Sequence, residues 1–175
     1  MSATAGGPDR RTVLDVYLND HLAGATAGAE LARRMVREHD DPAYAEELRR
    51  LAAEIVQDRR SLLGVLADLG IPVRHHKVYA AWLGEKAGRL KPNGRLLRRS
   101  GLAVLVECEA MRLGVQGKAL LWRSLLAASL REPRLEPVRL RELLERAEGQ
   151  LRTVDELHRR AATALLSAPG VTVSA

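Results

Sequence analysis

The chain has 175 residues, a formal net charge of +6 at pH 7, and 24 Arg but only 4 Lys among its 28 basic residues. This length suits one domain with a substantial core, since domains commonly run about 100 to 200 residues. The single cysteine, Cys108, excludes an intramolecular disulfide and any metal site built from several cysteines. No stretch approaches the ~18 apolar residues of a membrane span, and the first residues have no apolar signal core. We therefore expect a cytoplasmic protein, and the Arg-, Ala- and Leu-rich composition is typical of high-GC bacterial genomes.

Apolar periodicity predicts two long helices in the first half of the chain. The first covers residues 12–39. The second follows Asp41 as its N-cap and begins at Pro42, because a proline at the first helical position loses no hydrogen bond. It ends before Gly70, which can adopt the left-handed conformation of a helix cap, and Pro72 forbids its continuation.

The same apolar periodicity predicts two more long helices in the second half of the chain. One runs from Ser100, as N-cap, to about residue 128, and the other from Pro137 to about residue 166. The connection over residues 71–99 contains one short amphipathic helix, at 77–90, and a turn. No alternation of apolar and polar residues long enough for a strand is present.

The lengths of the connections predict the topology. Short loops join the first helix to the second and the third to the fourth, so each pair forms an antiparallel hairpin. The crossover at 71–99 is long enough to run the length of a bundle. We expect a single helical domain at 11–168, with flexible tails at 1–10 and 169–175.

Four segments resemble a known superfamily: "LNDHLAGATAG", "EIVQDR", "EKAGRLKPNG" and "GVQGKALLW". They are similar to an uncharacterised bacterial branch of the ferritin-like superfamily, and the resemblance covers most of the chain. It implies an all-α, ferritin-like four-helix bundle made of two antiparallel hairpins and one long crossover. That branch carries no activity that could be transferred to this chain.

The ferritin-like resemblance would also imply a di-iron or di-manganese site of about six ligands, a Glu from each of two helices and Glu-x-x-His from each of the others. The second helix offers Glu54 and Asp58 but no histidine. The fourth offers only Asp155 and His158, and the first has no glutamate on its core-facing seam. The ligand set is incomplete, so we expect no metal and no cofactor.

Polar residues nevertheless interrupt the apolar seams. We predict a core polar network of His21, Glu54, Asp58, Glu109 and Arg112, in which the Arg112 guanidinium pairs with Asp58 and takes the place of a metal cation. His21 would hydrogen-bond beside this pair. Such groups must satisfy one another, because burying them unpaired costs several kcal/mol.

Three interpretations of this network remain open. It can serve only to set the register and order of the helices, which we favour. It can line a small pocket for an anion or a polar ligand. It can also hold a single metal ion through His21, Glu54 and Asp58; an oxidase-like or hydrolytic enzyme would use these residues together with Glu109.

Two pairs of glycines lie in mid-helix, Gly24 and Gly28 in the first helix and Gly114 and Gly117 in the third. Each costs about 0.8 to 1 kcal/mol relative to alanine, so some benefit should offset them. We expect close approach of the two backbones. The functional alternative is a cavity beside His21, which a break in the third helix would favour.

Residues 74–99 carry eight basic residues and one acid, so the positive charge of the chain is concentrated there. Such a patch can bind anions or nucleic acid, and a binder of either kind that uses this crossover is an alternative function. The candidate anion-binding residues are Arg89, Lys91, Arg95, Arg98 and Arg99. The segment matches no nucleic-acid motif, so we interpret it as a solvated crossover and do not expect nucleic acid as a partner.

The sequence contains no phosphate-binding glycine loop, no nucleophile elbow and no HExxH motif. We therefore predict a non-enzymatic structural or ligand-binding protein without a di-iron centre. Broad Ala and Leu helix faces favour self-association, and a homo-oligomer, with a dimer favoured, is the expected assembly.

Overall fold

The computed structural model describes residues 10–39, 42–74 and 101–166. These ranges form four α-helices and contain no strand: α1 (Arg10–Glu38), α2 (Pro42–Asp68), α3 (Gly101–Ala128) and α4 (Pro137–Leu166). The prediction of an all-α protein with four long helices is confirmed. The predicted short helix at 77–90, the caps at Asp41 and Ser100, and the five candidate anion-binding residues lie outside the described residues.

Proline and glycine determine the helix ends as predicted. Pro42 and Pro137 are the first residues of α2 and α4. Gly70 has a φ of 64°, and its N–H donates to the carbonyl of Ala67 at 2.9 Å. The N–H of Ile71 donates to the carbonyl of Leu66, also at 2.9 Å. This pair of bonds is a Schellman motif, and it closes α2 at the glycine that the sequence singled out.

Side-chain contacts give the direction of each helix. Tyr17 near the start of α1 meets Ser124 near the end of α3, at 3.3 Å, while Arg34 near the end of α1 meets Glu107 near the start of α3, at 2.9 Å. α1 and α3 are therefore antiparallel.

Other contacts give the directions and neighbours of the remaining helices. Ion pairs from Arg139 to Asp68 and from Arg160 to Glu47 make α2 and α4 antiparallel. α1 packs on α2, and α3 on α4, as antiparallel hairpins; among the described residues, α1 does not approach α4, nor α2 approach α3, through their backbones. α2 and α3 thus lie diagonally across the bundle and run parallel, and residues 74 and 101 lie at its opposite ends.

The core runs along the axis between the four helices. Its largest fully buried side chains include Leu18 and Met35 of α1, Leu62 and Leu66 of α2, and Trp122 of α3. Cys108 is also buried in this core, and burial raises the pKa of its thiol to about 11. Among the residues that the structure describes, four polar ones are buried as well: Asn19, Asp58, Glu107 and Gln150.

Candidate functional site

Asp58 of α2 is the centre of a buried ionic cluster. Its side chain is 2% exposed, and three groups on other helices bind its carboxylate. Lys118 Nζ of α3 lies 2.5 Å from Oδ2, Arg146 Nε of α4 donates to Oδ1 at 2.7 Å, and Gln150 Nε2 of α4 donates to Oδ2 at 3.0 Å. The carboxylate is therefore held by charge-assisted bonds from two helices.

Glu54, one helical turn before Asp58, joins the same cluster through Gln150. The amide Nε2 of Gln150 donates to Glu54 Oε2 at 3.1 Å, and its Oε1 accepts a hydrogen bond from Lys118. Burial lowers the pKa of the Lys118 amine, and the Asp58 carboxylate opposes this shift. With two carboxylates and two cations, these residues are formally neutral as a group. We name this group the Asp58 cluster (Glu54, Asp58, Lys118, Arg146 and Gln150).

The structure brings together two of the five residues predicted for the core network, Glu54 and Asp58. The expected Arg112–Asp58 pair is wrong. Arg112 is 48% exposed, and its Nε donates to Asp155 of α4 at 2.6 Å. The physical reason is the choice between neighbouring positions on α3: Met111 takes the buried position, so Arg112 points outward.

Glu109 and His21 also lie outside the Asp58 cluster. Glu109 is exposed on α3, and its Oε1 lies 3.3 Å from His158 Nε2. His21 packs its ring edge-to-face against Tyr17, with the ring centres 4.6 Å apart. Within the described ranges, His21 makes no hydrogen bond to Asp58, so the predicted bond beside that carboxylate is also corrected.

The three residues suggested for a single metal ion do not form a metal site. Among the described residues, no three His, Cys, Asp or Glu side chains group closely enough to hold a metal ion. The reason is that Lys118, Arg146 and Gln150 already occupy the Asp58 carboxylate. Lys118 and Arg146 thus neutralise the Asp58 carboxylate, which a metal ion would need as a ligand.

The four mid-helix glycines line a cleft between α1 and α3. Since Tyr17 is level with Ser124 and Arg34 with Glu107, Gly24 lies level with Gly117. A Cβ atom added at Gly24, Gly28, Gly114 or Gly117 would meet no described atom within 4 Å. The close packing expected at these glycines is therefore absent among the described residues. The missing side chains leave open space there, and α3 runs through Gly114 and Gly117 without a break.

This α1/α3 cleft has a volume of about 450 Å³. Its apolar lining includes Leu31, Ile55, Leu62, Met111, Leu113 and Leu121. Its polar lining consists of Tyr17, Asp20, His21, Asp58, Arg59 and Lys118. Size and mixed lining both match the pockets that bind small molecules, which are commonly about 300 to 1,000 Å³ and mostly apolar with a few polar groups.

Two polar groups of the lining have unused hydrogen-bonding capacity. Burial lowers the pKa of His21, against the opposing charge of Asp20, so the imidazole is neutral near pH 7. Its ring nitrogens have no hydrogen-bond partner in the described part of the chain. Trp122, which also lines the cleft and is 1% exposed, has a buried Nε1–H that no described atom accepts. A buried donor without an acceptor costs free energy.

Sequence reasoning missed Lys118, Arg146 and Gln150. Lys118 immediately precedes Ala119, a buried position of α3, and its long stem carries the ammonium inward. Gln150 immediately precedes Leu151, which the apolar pattern favours for the core, yet Gln150 is buried and Leu151 is not. A signal was present in both cases, namely a polar residue one position from the seam at the level of Asp58.

No protein-family model, no curated protein and no solved structure matches this chain. No helix in the described ranges is both long enough and apolar enough to cross a membrane.

Proposed function

We propose that this protein is a ferritin-like four-helix bundle that binds a small, predominantly apolar molecule in the α1/α3 cleft. The ferritin-like assignment is supported by the two antiparallel hairpins, with α2 and α3 parallel on the diagonal. Binding is the proposed role, rather than metal-dependent catalysis, because the described carboxylates and histidines do not converge on a metal site.

One observation carries the binding proposal: four glycines in the middle of two long helices face open space. Each glycine costs the helix about 0.8 to 1 kcal/mol relative to alanine. An alanine would fit at every one of these positions without meeting a described atom. Packing among the described residues therefore does not require these glycines, whereas a ligand lying between α1 and α3 would.

The Asp58 cluster forms part of the cleft wall. Asp58 and Lys118 both line the cleft, and their bond links α2 to α3 there. Since this cluster is satisfied internally, it does not need a ligand in order to be stable. The open side is bordered by exposed Gly24 and Gly114, so a ligand can enter between the helices.

Binding can be tested with N-phenyl-1-naphthylamine, a neutral apolar dye whose fluorescence rises in apolar surroundings. We expect saturable binding to the wild-type protein. Gly117→Leu and Gly28→Leu each place a bulky side chain in the cleft and should abolish it. The matched control is Gly149→Leu, since Gly149 lies on α4 outside the cleft and its added Cβ would meet only Arg152 at 3.7 Å.

Circular dichroism must show that each variant remains helical and melts cooperatively. Wild-type protein that does not bind the dye saturably would refute the proposal. So would folded Gly117→Leu and Gly28→Leu variants that bind the dye as tightly as Gly149→Leu does.

A further inference from the structure

Arg59 of α2 is a cation of the cleft lining without a carboxylate partner among the described residues. Its one hydrogen bond runs from Nε to the hydroxyl oxygen of Thr26 on α1, at 2.9 Å. Thr26 in turn donates to the carbonyl of Leu22. This bond fixes the position of the Arg59 side chain at the cleft and leaves both terminal nitrogens of its guanidinium unused by described groups.

The other charges of the cleft do not compensate Arg59. Asp58 is neutralised by Lys118 and Arg146 within its own cluster. Asp20 lies six residues before Thr26 on α1, which is about 9 Å along the helix axis at ~1.5 Å per residue. Among the described residues, the guanidinium therefore presents an unbalanced positive charge at the level of Thr26.

Beyond Thr26, toward the end of α1, the cleft is apolar. Because Arg34 of α1 is level with Glu107 of α3, this part of the cleft joins the stretch from Thr26 to Leu31 with the stretch from Ala110 to Val115. Its lining residues carry no charge: Gly28, Leu31, Ala110, Met111, Leu113 and Gly114. A cation thus adjoins a long apolar surface.

We propose that the ligand of the α1/α3 cleft is a monocarboxylate with an aliphatic tail. Its carboxylate accepts hydrogen bonds from the two terminal nitrogens of Arg59, a planar fork that matches the geometry of a carboxylate. Its tail lies over Gly28 and Gly114, toward Leu31 and Ala110. This inference rests on the proposed function, because it specifies what the same cleft binds.

The test compares three eight-carbon compounds at pH 7 as competitors of N-phenyl-1-naphthylamine: octanoate, octan-1-ol and octylammonium. Octanoate should compete at least about tenfold more tightly than octan-1-ol, as expected for a bidentate ion pair with Arg59 that the neutral alcohol cannot form. Octylammonium should compete more weakly than octan-1-ol, because its charge opposes that of Arg59.

Arg59→Gln should remove the advantage of octanoate over octan-1-ol, so that the two compounds compete about equally well. Arg60→Gln is the matched control, since Arg60 is the adjacent exposed arginine and does not line the cleft. Arg59→Lys keeps the charge but loses the fork, so it should retain only part of the advantage.

The results separate the two proposals. If the dye does not bind to the wild-type protein, the proposed function fails. If the dye binds but octan-1-ol competes as well as octanoate, the carboxylate inference fails and cleft binding stands. The inference also fails if folded Arg59→Gln keeps the full preference for octanoate. Should Arg59→Gln not fold, the comparison of the three compounds on wild-type protein still decides.

Discussion

Asp58 and Lys118 form an ion pair across the diagonal of the bundle, with Oδ2 and Nζ 2.5 Å apart. The backbones of their helices, α2 and α3, do not approach each other closely within the described ranges. The Asp58 side chain is 2% exposed and that of Lys118 is 13% exposed, so water screens the pair only weakly. The pair therefore links the two hairpins through the interior rather than over the surface.

Breaking this pair from the acid side should be severe. Asp58→Asn removes the charge that both Lys118 and Arg146 need, and we expect a loss of about 3 to 5 kcal/mol in the free energy of unfolding. Lys118→Met should cost less, about 1 to 2 kcal/mol, because Arg146 and Gln150 still bind Asp58. The double variant should lose less than the two single losses combined, by about 1 to 3 kcal/mol. Urea unfolding measures all three, and strictly additive losses would contradict the pairing.

The exposed pair on the neighbouring surface should behave differently. Arg112 and Asp155 are about half exposed, at 48% and 50%, so solvent screens their attraction. Arg112→Met should therefore change the free energy of unfolding by less than about 1 kcal/mol. The same urea experiment checks this, with Lys118→Met alongside. A loss from Arg112→Met larger than that from Lys118→Met would mean that Arg112, not Lys118, holds the core acid.

This contrast shows what the sequence could and could not reveal. The start and end of α2 follow from Pro42 and Gly70, and the start of α4 follows from Pro137. These residues have strong local conformational preferences that packing does not override. Asp58 was also placed correctly in the core. Its partner was not, because apolar spacings of three and four allow either of two adjacent positions to face inward.

The cleft illustrates a second limit. The glycine pairs were recognisable from their cost to a helix, and their position level with each other follows from the antiparallel arrangement of α1 and α3. Whether the two backbones touch or stay apart depends on the distance between the helices. That distance depends on how all the helices pack together, and local sequence does not reveal it.

Two glycines of different conformation should respond oppositely to alanine. Gly117→Ala should raise the free energy of unfolding by about 0.5 to 1 kcal/mol, because the added methyl meets no described atom and alanine favours the helix. Gly70→Ala should lower it by about 1 to 2 kcal/mol, because φ at this residue is 64°. Thermal melts of both variants provide the measurement. Destabilisation by Gly117→Ala would show that α1 and α3 are too close for a cleft.

Glu107 should make stability depend on acid pH. The carboxylate is largely buried, which by itself raises its pKa, but the hydrogen bond from His39 and the charge of Arg34 outweigh burial and lower the pKa below 4.5. A lowered pKa stabilises the fold above pH 4.5, and this contribution is lost as the pH falls through the folded-state value.

Glu107→Gln should therefore cost about 1 to 3 kcal/mol at pH 7. The difference from wild type should shrink steadily below pH 4.5. Glu30→Gln is the control, because Glu30 is exposed and pairs only with Arg33. Urea unfolding from pH 7 to pH 3 tests this. A Glu107→Gln difference that stays constant over that range would contradict the shift.

His21 should give a pH dependence at higher pH and for the opposite reason. Burial lowers its pKa below the ordinary 6.5, although Asp20 partly opposes the shift. The unfolded chain then binds a proton more readily than the folded protein does, so stability contributed by neutral His21 is lost as the pH falls below 6.5.

His21→Phe keeps an aromatic ring against Tyr17 but cannot titrate. The wild-type protein should therefore lose stability relative to His21→Phe between pH 7.5 and pH 5.5, as measured by urea unfolding at each pH. Parallel curves for the two proteins would mean that His21 is solvated in the cleft, and that the cleft is wetter than an apolar ligand requires.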